Sequence, residues 1–342
     1  MQKIIIIFFI FSLLTLDVDA KTTNIVNVLT WRGYLDEVST SELVKRQCGA
    51  ILSYDTYATN EDMLRRWHLN SDKYDLLIFA GTTYNAIKEE IVLNNSELWK
   101  NSRSYHPEIR KAYNSRHFPH NIAFFAHSIT GLIWNPHVIE LTKDDTIQSA
   151  FKKAKNYKVI LLDEPVEIGE LLSAATNRED QHLANHISIE YLRALTQEAQ
   201  IYISNELNQI YNDKDFAFSY QWLGGVFSND NNIKNYQFFI NKDLSYVTSD
   251  LIAQVKDNKV VSCVAGVLSS KKFLSKVQSR ARYFSPYGDV DGVPEGKFKQ
   301  LYRSFLEKLP QLRWIKSLSV VQLNKLNKQW SRVKYDLMQN RE

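Results

Sequence analysis

The 342-residue sequence holds no GxSxG nucleophile elbow, no glycine-rich phosphate-cradling loop and no HExxH pair. Those gaps remove the commonest motif-borne hydrolase, nucleotide-binding and metalloprotease chemistries. No internal repeat, low-complexity tract or Gly/Ser linker divides the chain. Cysteine is scarce, at two residues, Cys48 and Cys263. In an oxidising compartment they could pair, but only if their Cα atoms come within about 7 Å, which spacing alone does not show. Buried free thiols are the expectation, and neither cysteine has the neighbours of a catalytic nucleophile. His182 and His186 sit four apart in a helical pattern and share a face. Catalytic zinc needs three protein ligands and no third is apparent, so they read as surface histidines and no metal or cofactor is expected. Charge of one sign is also lacking: 42 Lys and Arg against 38 Asp and Glu leave +4, without a nucleic-acid motif. A cation site would therefore have to be built from a local cluster of carboxylates.

Long apolar runs are missing everywhere but at the start. Lys3, then an apolar stretch over 4–16 broken only by Ser12 and Thr15, then Val18-Asp19-Ala20 read as a secretory signal cleaved after Ala20. About 13 apolar residues are too few for a membrane span of roughly 20. No cysteine follows the stretch to carry a lipid. The segment's one Lys and two Asp mean that its removal takes the formal charge from +4 to +5. What remains, about 320 residues, suits two domains.

The first third alternates apolar strands with helical spacing. Residues 24–30, 48–54 and 74–79 read as strands, and 36–47 and 61–69 as helices. Such alternation predicts a parallel sheet with helices on its faces, and ligands bind beyond the carboxyl ends of its strands. Three loops fall at that edge: 31–34, 54–60 and 80–84. A second βα series follows, with strands over 122–125 and 131–134 around a crossover and an apolar strand over 159–162. That strand runs into the acidic loop 163–167 and a helix over 168–176. Residues 216–220 form another strand, after which Gly224 and Gly225 predict a tight turn. Leu323, Leu326, Trp330, Val333 and Leu337 recur at 3-4-3-4 spacing, one face of an amphipathic helix docked on a domain. Asp55 reads as a turn residue and Asn60 as a helix cap.

The order of these features resembles the extracytoplasmic solute-binding proteins of polyamine ABC transporters, the spermidine/putrescine-binding family. Trp31 and Tyr34 match its Trp-x-x-Tyr, and 54–61 is close to its Tyr-Asp-Thr-(Phe/Tyr)-x-Ser-Asn-Glu. Residues 74–78 resemble its Tyr-Asp-Leu-Val-Val strand. Residues 130–135 resemble the strand before its lobe crossover, Asp163, Glu164 and Glu167 its acidic loop, and 283–286 its late Tyr-x-Thr-Pro. The resemblance implies an α/β, two-lobed type II periplasmic-binding-protein fold that closes on its ligand. One lobe would take 21–130 plus 248–300, the other 131–247 plus 301–342. It implies a soluble, monomeric periplasmic binder, not an enzyme, that hands a polyamine-like solute to a membrane permease. A membrane sensor is the alternative partner.

A linear amine needs carboxylates at its ammonium groups and aromatic faces along its stem. On the resemblance, Trp31 and Tyr34 wall the cleft, Glu164 and Glu167 supply carboxylates, and Trp222, Tyr246 and Tyr283 supply further rings. Read alone, Trp31 and Trp222 could equally be core aromatics, and the two glutamates could favour the first turn of the helix after Pro165. Three positions depart from the pattern. Arg32-Gly33 stands where an acidic residue is usual. Thr248 falls at the amine-anchoring aspartate, with Asp250 two residues on. Thr82 falls at an aromatic, with Tyr84 two residues on. Arg32 suits a carboxylate or phosphate, so an anionic or zwitterionic solute is the second reading.

Overall fold

Capping explains where the first helix begins and ends. After β1 (Asn24–Trp31), Asp36 accepts the Ser39 N–H and opens α1 (Glu37–Cys48), and Gly49 closes it at φ 62°. β2 (Ala50–Tyr57), α2 (Asn60–Asn70) and β3 (Leu76–Ala80) continue the alternation, with both β2 and β3 parallel to β1. The computed structural model describes residues 24–91, 93, 96, 98–176, 187–205, 213–226, 236–240, 242–293 and 295–339. The expected signal over 1–20 and the pair His182 and His186 lie outside the described residues.

α3 (Tyr84–Ile87) and α4 (Pro107–Asn114) lead into β4 (Ile122–Trp134), buried along its whole length. α5 (Ile147–Lys153), β5 (Lys158–Leu161), α6 (Pro165–Ala175), α7 (Ile189–Thr196) and β6 (Gln200–Ile203) build the second half. β7 (Phe216–Trp222), the one-turn α8 (Leu223–Val226) and β8 (Gln237–Phe239) complete it before β9 (Tyr246–Gln254) returns. α9 (Lys259–Leu268), α10 (Lys271–Ala281), α11 (Lys297–Lys308), β10 (Arg313–Trp314) and α12 (Val320–Gln339) end the described chain.

The strands form one sheet in the order β2-β1-β3-β9-β4-β7-β5-β6, with β10 on β9 and β8 on β4. Its two halves meet at β4 and β9. The first part of β4 pairs antiparallel with β9 from Ile122–Ala253 to Thr130–Tyr246, and β9 pairs with β3. From Thr130 onward β4 pairs with β7 instead. These two strands are the crossovers, and the first is a single strand rather than the two separate pieces expected.

Other expectations need correction. Cys48 ends α1 instead of opening a strand, and it is disulfide-bonded to Cys263 on α9. α1 fully buries only Thr40 and Val44, so apolar packing holds it weakly. A covalent tie to α9 compensates, and such bonds typically contribute 2–4 kcal/mol. Asp55 lies within β2, opposite Leu29, and accepts from Tyr74 Oη at 2.8 Å, so it is a strand residue rather than a turn residue. Gly224 lies within the one-turn helix α8 rather than in a strand-to-strand turn. A Cβ there would fall 2.1 Å from the Arg282 carbonyl oxygen, so its role is close backbone approach. The amphipathic stripe in α12 is buried at Leu323, Leu326, Trp330 and Val333, and the helix packs on α6 and α7.

Candidate functional site

The carboxyl ends of β1 and β3, the end of β7 and the middle of β9 surround a cavity of about 340 Å³. Trp31 is the last residue of β1. Gly33, at φ 82°, turns the chain so that Tyr34 comes back over the opening. That turn explains the glycine in the departing Arg32-Gly33 pair, because a side chain at positive φ is strained. Tyr34 stacks on Phe125 at 5.6 Å and meets Tyr283 edge-on at 5.0 Å. Across the cavity Trp222, last in β7, meets Trp31 edge-on at 6.3 Å.

Two carboxylates line this space. The Tyr34 hydroxyl donates to Asp250 Oδ2. Burial raises the Asp250 pKa to about 6, against the lowering effect of Tyr34 and the nearby Trp31 indole. The Trp31 N–H lies near enough to favour the carboxylate but meets no acceptor in hydrogen-bonding geometry. Burial, then the Asp250 charge, holds the Tyr34 phenol well above its usual range, so it stays a donor. On the opposite wall Glu167 accepts the Trp222 indole N–H at 3.1 Å, while its Oε2 is buried without a hydrogen-bond partner. Burial raises its pKa to about 7. Neither carboxylate forms an ion pair among the described residues.

Nine of the twelve residues singled out from sequence line the cavity: Trp31, Arg32, Tyr34, Thr82, Glu167, Trp222, Thr248, Asp250 and Tyr283. Three do not. Tyr246 lies on the same strand face as Thr248 and Asp250, but its hydroxyl donates to the Glu170 carbonyl oxygen and accepts from Arg313 at 2.8 Å, so the core consumes it. Tyr84 packs edge-on against Phe118 at 5.1 Å, one turn past the cavity-lining Thr82. Glu164 is buried behind the wall, where it accepts from Asn60 Nδ2 at 3.1 Å and lines a smaller neighbouring cavity. It holds the N-cap position of α6 yet makes no side-chain capping bond. Burial and the adjacent Glu167 raise its pKa well above the carboxylate range. Asp163, between the same elements, is neutralised by Lys334 at 2.9 Å and by the Trp330 indole.

Asn60, Ser128, Ser249 and Arg280 also line the cavity and escaped the sequence reading as site residues. Thr59 caps α2, which frees Asn60 to reach Glu164 across the cleft and line the cavity. The two serines carry no local signal. Arg280 sits within a helical pattern, and only the tertiary structure brings it to the Tyr34 carbonyl oxygen and to Asp36 at 3.2 Å. Arg32 is exposed at the rim, its guanidinium without an ion pair among the described residues. Among the described residues, no group of three or more His, Cys, Asp or Glu side chains could hold a metal ion.

No protein-family profile matches this chain. No curated protein matches it by sequence. Solved structures do match its fold. The spermidine/putrescine ABC transporter substrate-binding protein PotD of Streptococcus pneumoniae is 17% identical, with a TM-score of 0.71 over 94% of this chain and 100% of that one. The TpPotD lipoprotein of Treponema pallidum is 16% identical, with a TM-score of 0.70 over 91% and 99%. The periplasmic binding protein MotA of A. tumefaciens, solved with glucopine, is 14% identical, with a TM-score of 0.63 over 92% and 99%. The fold is the two-lobed type II periplasmic-binding-protein fold.

Proposed function

We propose that this protein captures a polyamine or related amine between two lobes and delivers it to the permease of an ABC transporter. One observation carries the reading: half-buried Asp250 and buried Glu167 face a single aromatic-walled cavity and, among the described residues, neither has an ion-paired cation. A buried carboxylate is costly unless paired, and an ammonium group supplies the missing charge. Indole faces on Trp31 and Trp222 suit the methylene stem and add about 0.5–2 kcal/mol per cation–ring contact. The Streptococcus pneumoniae neighbour, a spermidine/putrescine ABC transporter substrate-binding protein, supports the same class.

On this reading the lobes are 21–130 plus 248–300, and 131–247 plus 301–342. α11 and the chain beyond it run along the seam and touch both: Tyr302 Oη donates to the Ser285 carbonyl, Lys308 Nζ to that of Ile240. Ligand favours the closed state by its differential affinity, with no chemical step. The protein acts in the periplasm as a soluble monomer, freed of its signal, and its direct partners are the solute and the permease. Among the described residues no helix is long and apolar enough to cross a membrane.

The anionic or zwitterionic reading has less support. Arg32 sits at the exposed rim, Arg280 is engaged by Asp36 and the Tyr34 carbonyl, and the deeper lining is acidic. Thermal unfolding with putrescine, spermidine, amino acids and phosphonates separates the two. A solute at 100 times its Kd adds about 2.7 kcal/mol. Stabilisation by an amine is expected. Stabilisation by a phosphonate with none by any amine would overturn the assignment. Whether the liganded form addresses a permease or a sensor is tested by reconstituted uptake with candidate permeases.

A further inference from the structure

The crossover strands carry a second feature, on the face turned away from the cavity. Ser128 lines the amine cavity, while the preceding His127 points to the other side of β4 and meets Trp314 edge-on at 5.3 Å. There, α4 with the two residues after it and the chain leading into β10 enclose a groove of about 290 Å³. Arg116 lies in it with its guanidinium over the rings of Trp314, at 5.5 Å, and Phe124, at 5.9 Å. Its hydrogen bond is to the Ile315 carbonyl oxygen, at a long 3.4 Å. A guanidinium has five N–H donors, and here no carboxylate is ion-paired with them among the described residues. Lys111 and Glu108 line the same groove, and neither is ion-paired to the other or to Arg116. Leu309 and Pro310 give it an apolar wall.

We propose that this groove is a second binding site, specific for a small monoanionic carboxylate with an apolar body. Three features select that chemistry. The planar fork of Arg116, held over the rings of Trp314 and Phe124, suits a planar carboxylate through two parallel N–H···O bonds. Two cationic side chains against the one carboxylate of Glu108 leave a single positive charge, which suits a monoanion better than a dianion. The wall of Leu309, Pro310 and Trp314 accepts an apolar group. β10 pairs with β9 at Tyr246 and Val247, so an occupant would press on the strand that supplies Thr248 and Asp250 to the cavity.

Benzoate is the probe, with inorganic phosphate as the dianionic comparison, and binding is read by calorimetry and by ligand-observed NMR on the full chain. Saturable benzoate binding is expected, with phosphate weaker. Arg116→Gln should weaken benzoate by about tenfold or more, because a charge-assisted pair is lost. Glu108→Gln should strengthen it, and Arg32→Gln should leave it unchanged. Because Arg116 is half-buried, circular dichroism checks that its variant folds. The exposed Lys111→Gln, expected to weaken benzoate severalfold, keeps the test decisive if it does not. Absence of saturable binding overturns the proposal. So does binding that is indifferent to both Arg116→Gln and Lys111→Gln, or binding abolished by Arg32→Gln, which would put the anion in the amine cavity.

Discussion

The two walls of the cavity differ in how well they settle their own charge. The wall from β1, β9 and the segment after α10 holds one acid, Asp250, which receives the Tyr34 hydroxyl inside a cage of Trp31, Tyr34 and Tyr283. The wall from α6 and β7 holds Glu167, backed by Glu164, each with one buried oxygen that has no hydrogen-bond partner among the described residues. The first wall is a prepared aromatic seat around an acid whose pKa stands at about 6. The second is the more poorly solvated, with burial the first cause that raises Glu167 to about 7 and that raises Glu164, to which the neighbouring Glu167 adds. A bound ammonium should therefore relieve more unfavourable free energy at the second wall. On the proposed function, the acid least satisfied in the free protein is the one an amine should stabilise most.

That asymmetry can be broken in steps. Glu167→Gln should have the largest effect, a loss of about 2–5 kcal/mol in amine affinity, together with a higher melting temperature for the free protein. Calorimetric titration and a melting curve on one sample test both. Unchanged affinity would remove Glu167 from the site. Asp250→Asn should cost less, about 1.5–3 kcal/mol in the same titration, because Tyr34 can still donate to the amide oxygen. A greater loss than for Glu167→Gln would reverse the ranking of the walls.

Proton linkage sharpens the same contrast. Both acids hold protons more tightly folded than unfolded, where their pKa values are about 4, so the free protein loses stability from these groups as pH rises from about 4 towards 7. Amine binding needs the ionised forms and gains over that window. Affinity should fall by about tenfold or more from pH 8 to pH 5, and Glu167→Gln should flatten the upper part of the curve. A flat profile in the unaltered protein counts against carboxylate anchoring. The smallest effect is expected for Trp31→Leu, about 0.5–2 kcal/mol in affinity, from loss of the ring face. If that substitution costs more than Asp250→Asn, the rings and not the charges dominate.

Much of the fold was legible because its signals are local. The strand and helix alternation over 24–80 matches the observed elements to within a few residues, and the stripe in α12 is periodic in the chain itself. The edge that gathers the site followed from that alternation, since parallel strands end together. Residues such as Trp31, Tyr34, Thr82 and Glu167 were singled out because their segments resemble those of the solute-binding family. The failures share a cause. Tyr246 and Asp250 lie on one strand face, and whether each opens to the cavity depends on Arg313 and Glu170, residues far away in sequence. Glu164 and Glu167 are three residues apart on one helical turn, yet Asn60 holds one back while Trp222 brings the other forward.

The order of apolar and polar residues by itself determined the elements, the parallel character of the first sheet region and the chemical types available at its edge. Those depend on side-chain periodicity and backbone capping, which act over a few residues. Tertiary structure alone decided that Cys48 meets Cys263, that Asp250 takes the place beside Tyr34, and that Arg116 lies over Trp314 behind the crossover strands. Each of these is a meeting of distant segments, and electrostatic and covalent pairing read distance in space, to which distance along the chain is no guide.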